Sequence, residues 1–209
     1  MIWILDSGHG GIVGGEYVTP GKRSPKWDDM PQLFEGVFNR QVVKLIASGL
    51  QDLGIGYHIL VPEQTDISLT ERVERVNKFC ENSGEAVLVS IHGNASLNGA
   101  GTGWEVWTSH GITTSDKLSA YFFAEMSLAF PEKKMRADYT DDPYPDKDSN
   151  FYILRHTVCP ALLTENFFMD NKDDCRLMQS REGRILIAKA HVNAIKRIER
   201  VSKKMAYRF

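Results

Sequence analysis

The sequence predicts an α/β fold, a sandwich of three layers, and three observations predict it. Short apolar runs rich in β-formers alternate with longer stretches of helical period, the pattern of strands covered by helices. The runs Ile2–Leu5 and Ala86–Ile91 are apolar almost throughout and read as buried strands. No repeat, low-complexity segment or linker interrupts the 209 residues. One domain spanning residues 1–209, with room for a sizeable core, is therefore expected.

The elements follow in order. Strand Ile2–Leu5 is broken by the Gly-rich turn Asp6-Ser-Gly-His9-Gly-Gly11. Residues Ile12–Phe34 are irregular, with Gly14-Gly15, Pro20-Gly21, Pro25 and Pro31. A loop of that length inside a domain is usually functional, so it is expected to flank a cleft, with Tyr17 and Trp27 available for contact. Glu35–Leu53 reads as a helix, because Val37, Phe38, Val42, Leu45, Ile46, Gly49 and Leu53 recur at helical spacing and Gly54 and Gly56 stop the pattern. Tyr57–Val61 is a short strand. Ser68 and Glu71 form a capping-box signature that opens a helix to Asn82, with Leu69, Val73, Val76 and Phe79/Cys80 inward. Strand Ala86–Ile91 ends in His92-Gly-Asn-Ala95. Trp104–Thr108 alternates as a strand, and Ser115–Phe130 is helical. Pro131–Asn150 carries three prolines with Asp138, Asp141, Asp142, Asp146 and Asp148; it reads as an exposed, solvated loop or lid too poor in helix formers to plug a cleft. Tyr152–Leu154 and Ala161–Thr164 read as strands, the second ending in Glu165. The last helix, Glu182–Lys203, carries Leu186, Ala190, Ala194, Ile198 and Val201 on one face.

Bulk properties exclude several classes. Hydrophobic residues are 42% and charged residues 25%, and the net charge is −2, which gives no electrostatic case for nucleic acid or an anionic membrane. There is no transmembrane run, and no basic n-region followed by an apolar h-region, so no signal peptide is expected. Cys80, Cys159 and Cys175 are scattered without CxxC spacing and read as reduced thiols.

Three polar groups stand at matching positions: His9 after Ile2–Leu5, His92 after Val87–Ile91, and Glu165 after Ala161–Thr164. If these strands are neighbours of one polarity, the side chains meet at the edge where open α/β sheets bind ligands. Glu35, starting the first helix, can reach the same edge. Two imidazoles and a carboxylate suit zinc with a position left for water, and a second carboxylate would serve as general base. The bland alternative is that each residue merely ends a strand. Of the other histidines, His191 falls mid-helix and reads as partly buried, His58 lies in a strand and His110 in a loop, and His156 at most borders the site. The Asp138–Asp148 run lacks the spacing of a calcium loop.

At these residues the chain resembles the zinc-dependent N-acetylmuramoyl-L-alanine amidases of the third amidase type, a family of cell-wall hydrolases. The resemblance rests on Asp6-Ser-Gly-His-Gly-Gly11, Glu35 with Phe38-Asn39, Asp66 with Leu69 and Glu71-Arg72-Val73 leading to Asn77, Ser90-Ile-His-Gly-Asn-Ala95, Gly103-Trp-Glu105, Tyr152-Ile-Leu-Arg155, and Pro160-Ala-Leu-Leu-Thr-Glu165 through Phe168 and Asn171. It implies a three-layer α/β/α sandwich around a largely parallel, mixed sheet. It implies one Zn2+ per chain, held by His9, Glu35 and His92, with Glu165 as the catalytic carboxylate. The substrate would be peptidoglycan, cut between muramic acid and the L-alanine of the stem peptide, by a monomer. Asp6 would hydrogen-bond a ligand histidine or shape the turn; Asn94 and Arg155 are further candidates for supporting the ligands or touching substrate. The chain departs from the family at Ser7, where Pro is usual, at Gly93, where Ala is usual, and at Phe167, where Gly is common and where the wall of the pocket is expected to change. The competing expectations are a zinc peptidase of short peptides and an inactive wall-binding module. Without a signal peptide the chain would reach the bacterial wall by phage-type release, or be the domain of an exported enzyme.

Overall fold

A computed structural model describes residues 1–96 and 98–206. The elements are β1 (Ile2–Ser7), β2 (Ile12–Val13), β3 (Glu16–Tyr17), α1 (Glu35–Asp52), β4 (Tyr57–Ile59), α2 (Leu69–Ser83), β5 (Ala86–Asn94), β6 (Trp104–Thr108), α3 (Thr114–Ala129), β7 (Lys147–Asp148), α4 (Tyr152–His156), β8 (Ala161–Phe168), α5 (Lys172–Gln179) and α6 (Arg181–Ala206). Six strands form one sheet in the order β4-β1-β5-β8-β6-β7. All pairings in it are parallel except β6 with β8, so the sheet is largely parallel and mixed, as expected.

Successive residues of a strand face opposite sides, and the core splits accordingly. Trp3, Leu5, Val87, Val89 and Ile91 pack with α1, α3 and α6 on one face. Ile4, Leu88 and Leu163 pack with Val73 and Val76 of α2 and with Ile153 and Leu154 of α4 on the other. Two helical layers therefore enclose the sheet. The register pairs Ser7 with Ile91 and His92 with Glu165, which brings the ends of β1, β5 and β8 to one edge.

Several elements differ from the sequence reading. Tyr152–Leu154 is the first part of helix α4, not a strand: the amides of Leu154 and Arg155 both donate to the Phe151 carbonyl. Three apolar residues carry no period of their own, and packing decides, with Ile153 and Leu154 buried and Tyr152 and Arg155 outside. Leu45, Leu53, Leu69 and Leu186 are exposed rather than inward, because the buried faces of α1 and α6 fall on Val43, Ala47, Ile187 and Ile195. Residues 131–150 are only partly a surface loop. Their end pairs with β6 as β7, and Asp146 is buried, accepting hydroxyl hydrogen bonds from Thr108 (2.6 Å) and Ser119 (2.8 Å). Helix α5 is capped by Asn171, whose side chain accepts from the amides of Asp173 and Asp174; its short polar sequence gave no stripe to read. No described helix is long and apolar enough to cross a membrane.

Candidate active site

The turn after β1 carries His9 in the left-handed region, φ 66°. Its backbone is held from below by buried side chains. Asn39 donates to the Gly8 carbonyl (3.0 Å), Arg40 to the His9 carbonyl (2.8 Å), and Arg72 to the carbonyls of Ser7 (2.8 Å) and His9 (3.2 Å). Arg72 also pairs with Asp6, whose other oxygen accepts from the Ser90 hydroxyl at 2.6 Å. Two glycines are dictated by close approach. A Cβ on Gly8 would stand 2.1 Å from the His92 ring, and one on Gly36 would stand 1.8 Å from the Gly10 carbonyl oxygen. The first turn of α1 thus seats directly against the loop.

That seating puts Glu35 between the two histidines. Its Oε1 lies 3.1 Å from His9 Nε2 and 3.1 Å from His92 Nδ1, and the three donor atoms all fall within 4.8 Å of one another. The Gly93 amide also approaches Oε1, at 3.3 Å. Burial opposes ionisation of Glu35, but hydrogen bonds and charge from His9 and His92 overcome it and hold the carboxyl well below the usual carboxylate range. Its place in the first turn of α1 favours a negative charge further.

Glu165 lines the same cleft one strand away, opposite His92 in the register. Its Oε2 is covered and has no hydrogen-bond partner. Burial, then the nearby charges of Glu35 and Glu105, push its carboxyl well above the usual range, and Lys22 acts in the opposite direction. The cleft has a volume of about 640 Å³. It is lined by His9, His92 and Glu165, by Ile67 and Leu69 at the start of α2, and by Phe151, Tyr152 and Ile153 at α4.

The remaining candidates fall elsewhere. Asp6 touches neither His9 nor His92; its oxygens are taken by Arg72 and Ser90, so it reaches His9 only through Arg72. Asn94 donates to Glu105 Oε1 at 2.7 Å, and Glu105 Oε2 accepts from Arg136 and Lys147; this network lies outside the cleft lining. Arg155 is exposed on α4 and does not line the cleft. His156 stacks on Tyr152 with ring centroids 4.2 Å apart and is likewise outside the cleft lining. His191 is fully buried, not partly. Tyr17 and Trp27 do not line the cleft either. The Tyr17 hydroxyl accepts from the Gly36 amide and its ring stacks on Phe34, while Trp27 packs against the core.

Phe167 is not part of the pocket wall. It occupies a bulge where the β5–β8 register shifts between His92 and Asn94, takes φ 71°, and buries its ring against Phe130 at 4.9 Å. A left-handed bulge position is one that glycine fills without strain, and here a buried aromatic contact holds the conformation instead. Sequence reasoning assigned no role to Asn39, Arg40 or Arg72, although Asn39 and Arg72 lie within the quoted motifs. It missed Lys22 altogether. A second acidic group, Asp116, Asp146 and Asp148, has carboxylate oxygens within 4.8 Å of one another. Thr108, Thr113 and Ser119 already donate to Asp116 and Asp146 there.

An α/β/α sandwich with two histidines and two carboxylates of opposite character at the carboxyl edge of its central strands is the frame of a hydrolase. Residues 4–197 match the family described as N-acetylmuramoyl-L-alanine amidase, and the chain belongs to that family of enzymes. It is 28% identical over 208 residues to the N-acetylmuramoyl-L-alanine amidase CwlM of Bacillus licheniformis, covering 97% of this chain and 70% of that protein. It is 28% identical to the endolysin of Bacillus phage SPP1, covering 98% of this chain and 68% of the endolysin. Among solved structures, the N-acetylmuramoyl-L-alanine amidase of Clostridium difficile 630 superposes with a TM-score of 0.73 at 25% identity, covering 93% of this chain and 94% of that one. AmiC2 of Nostoc punctiforme shares the fold with a TM-score of 0.73 at 22% identity, covering 96% and 97%.

Proposed function

We propose that the chain hydrolyses the amide between the lactyl group of N-acetylmuramic acid and L-alanine in bacterial peptidoglycan, with zinc held by His9, Glu35 and His92. One observation carries the reading: a buried Glu35 bracketed by two imidazoles, beside a half-buried Glu165 whose covered Oε2 has no hydrogen-bond partner. The donor set suits zinc. Two imidazole nitrogens and one carboxylate oxygen lie within 4.8 Å of one another, brought together from the turn after β1, from α1 and from β5, in the His₂Glu combination that zinc hydrolases use. Zinc bound there would supply Lewis-acid polarisation of the amide carbonyl and would acidify a water.

The chain's own groups divide the remaining work. Glu35 has no proton to give, because both histidines favour its charged form. Glu165 does the proton work: with its affinity for protons raised by burial and by neighbouring carboxylates, it takes the proton of the attacking water and returns it to the alanine nitrogen as the C–N bond breaks. Asn39, Arg40 and Arg72 fix the turn that aims His9, and Asn166 donates to the His92 carbonyl at 3.0 Å. Digestion of purified peptidoglycan tests the reading. The expected product is a new N-terminal alanine, formed by the zinc-loaded protein and abolished by a chelator. New termini elsewhere in the peptide, or digestion that survives metal removal, would overturn it.

A further inference from the structure

Lys22 is the cleft-lining residue whose role the reaction leaves unexplained. Its position is built, not incidental. Gly21 turns the chain at φ +74°, and the Glu35 amide then donates to the Lys22 carbonyl at 3.0 Å, which ties Lys22 to the first turn of α1. Its neighbour Arg23 is spent elsewhere, over the rings of Tyr17 and Phe34 at 5.4 Å each. Lys22 itself is exposed and lines the same cleft as His9, His92, Glu165 and the α4 residues Tyr152 and Ile153.

The charges of the cleft are otherwise accounted for. Asp6 pairs with Arg72, and Glu35 lies between His9 and His92. Asp66 accepts from the Thr19 hydroxyl at 2.6 Å and stands 3.9 Å from Arg72. Among the described residues Lys22 has no carboxylate within ion-pair distance, and its charge reaches Glu165 in the same cleft without pairing with it. An unpaired ammonium in the wall of a cleft is placed for an anion on the ligand.

We propose that Lys22 binds a carboxylate of the substrate, one residue beyond the amide that is cut. This rests on the amidase reading above. In a stem peptide the residue after L-alanine is a γ-linked D-glutamate, whose α-carboxyl is free in some walls and amidated in others. Lys22 makes the enzyme favour the free acid, since an amide offers the ammonium a carbonyl oxygen but no charge.

The test compares two muramoyl dipeptides, one ending in D-glutamate with a free α-carboxylate and one in its α-amide. The protein with Lys22 is expected to favour the acid about tenfold in kcat/KM, mainly through KM, as a charge-assisted contact in a solvated cleft would give. In Lys22→Gln that ratio falls close to one, and in Lys22→Arg it is retained. Raising salt shrinks the preference. The thermal midpoints of the variants show whether each is folded. Binding of the same dipeptides is measured in parallel in Glu165→Gln, with and without Lys22→Gln. There the acid binds tighter only when Lys22 is present. A ratio that Lys22→Gln leaves as it was, or a fall in kcat shared equally by both substrates, would overturn the assignment. If the unmutated protein cleaved neither dipeptide, the amidase reading would fail, and the binding comparison would still decide Lys22.

Discussion

Glu35 at the start of α1 and Glu165 within β8 are the same side chain in opposite surroundings. Both are enclosed. Glu35 receives two imidazoles and the Gly93 amide and sits at a helix N-terminus. Glu165 has a covered oxygen with no donor, and faces two other carboxylates. The first environment favours the charged carboxylate, and the second raises the affinity of a carboxylate for a proton. The roles of the two glutamates therefore come from what each element delivers around them, and not from residue type.

The comparison breaks most severely on the Glu35 side at Arg72. This buried guanidinium holds Asp6 and the carbonyls of Ser7 and His9. Arg72→Met leaves Asp6 buried without its partner, and about 3–5 kcal/mol of stability is expected to be lost in chemical denaturation, by the usual penalty for breaking a buried ion pair. The neighbouring Arg75 pairs in the open with Glu63 and Glu71, so Arg75→Met is expected to cost at most about 1 kcal/mol. Equal losses in the two variants would mean that Arg72 is not the prop of the His9 turn.

The Glu165 side is held by His191 on α6. His191 is fully buried, its Nε2 lies 3.1 Å from the Thr164 hydroxyl, and its Nδ1 lies 2.9 Å from the Ile187 carbonyl. Burial lowers its pKa to about 4, from about 6.5 in the unfolded chain. Between those values the unfolded chain binds the proton and the folded chain does not. His191 therefore permits full stability above pH ~6.5 and withdraws about 3 kcal/mol as the pH falls to ~4. Unfolding free energies measured across that window should flatten in His191→Gln. An unchanged slope would contradict a neutral His191 behind β8.

The smallest expected difference, that between two variants of Phe167, sharpens the geometry beside Glu165. At Phe167 a left-handed backbone is retained for a buried ring. Phe167→Ala loses the ring and keeps the strained backbone, whereas Phe167→Gly loses the ring and relieves the backbone. Both should be destabilised, by about 3–5 kcal/mol for the lost ring, with the glycine variant about 1 kcal/mol the better of the two. An alanine variant as stable as the glycine variant would show that φ carries no cost there.

What the sequence made legible follows from local signals. The placing of His9, His92 and Glu165 at the strands could be read from short buried apolar runs that break into polar residues, but only His9 lies beyond its strand: β5 runs on through Asn94 and β8 through Phe168, so His92 and Glu165 stand inside theirs. The meeting of the three residues depended on strand order, which no local signal carries; the parallel β1-β5-β8 core supplied it. Tyr152–Leu154 was read as a strand because a three-residue apolar run has no period, and only burial against α2 selects the helix. Arg40 and Arg72 look like surface charges in a helical pattern, and their inward course appears only once the His9 carbonyls need donors. Lys22 lies in a segment without periodicity. Its place is set by a backbone hydrogen bond to α1 that no sequence pattern announces.

The central claim is that Glu35 serves the metal and Glu165 serves the proton. Zinc content and released N-terminal alanine, measured together on the unmutated protein, Glu165→Gln and His92→Ala, test it most directly. Glu165→Gln is expected to keep about one zinc per chain and to lose hydrolysis by roughly a thousandfold, while His92→Ala loses both. A Glu165→Gln protein that still released alanine at the original rate, or one that lost its zinc, would contradict the division of roles.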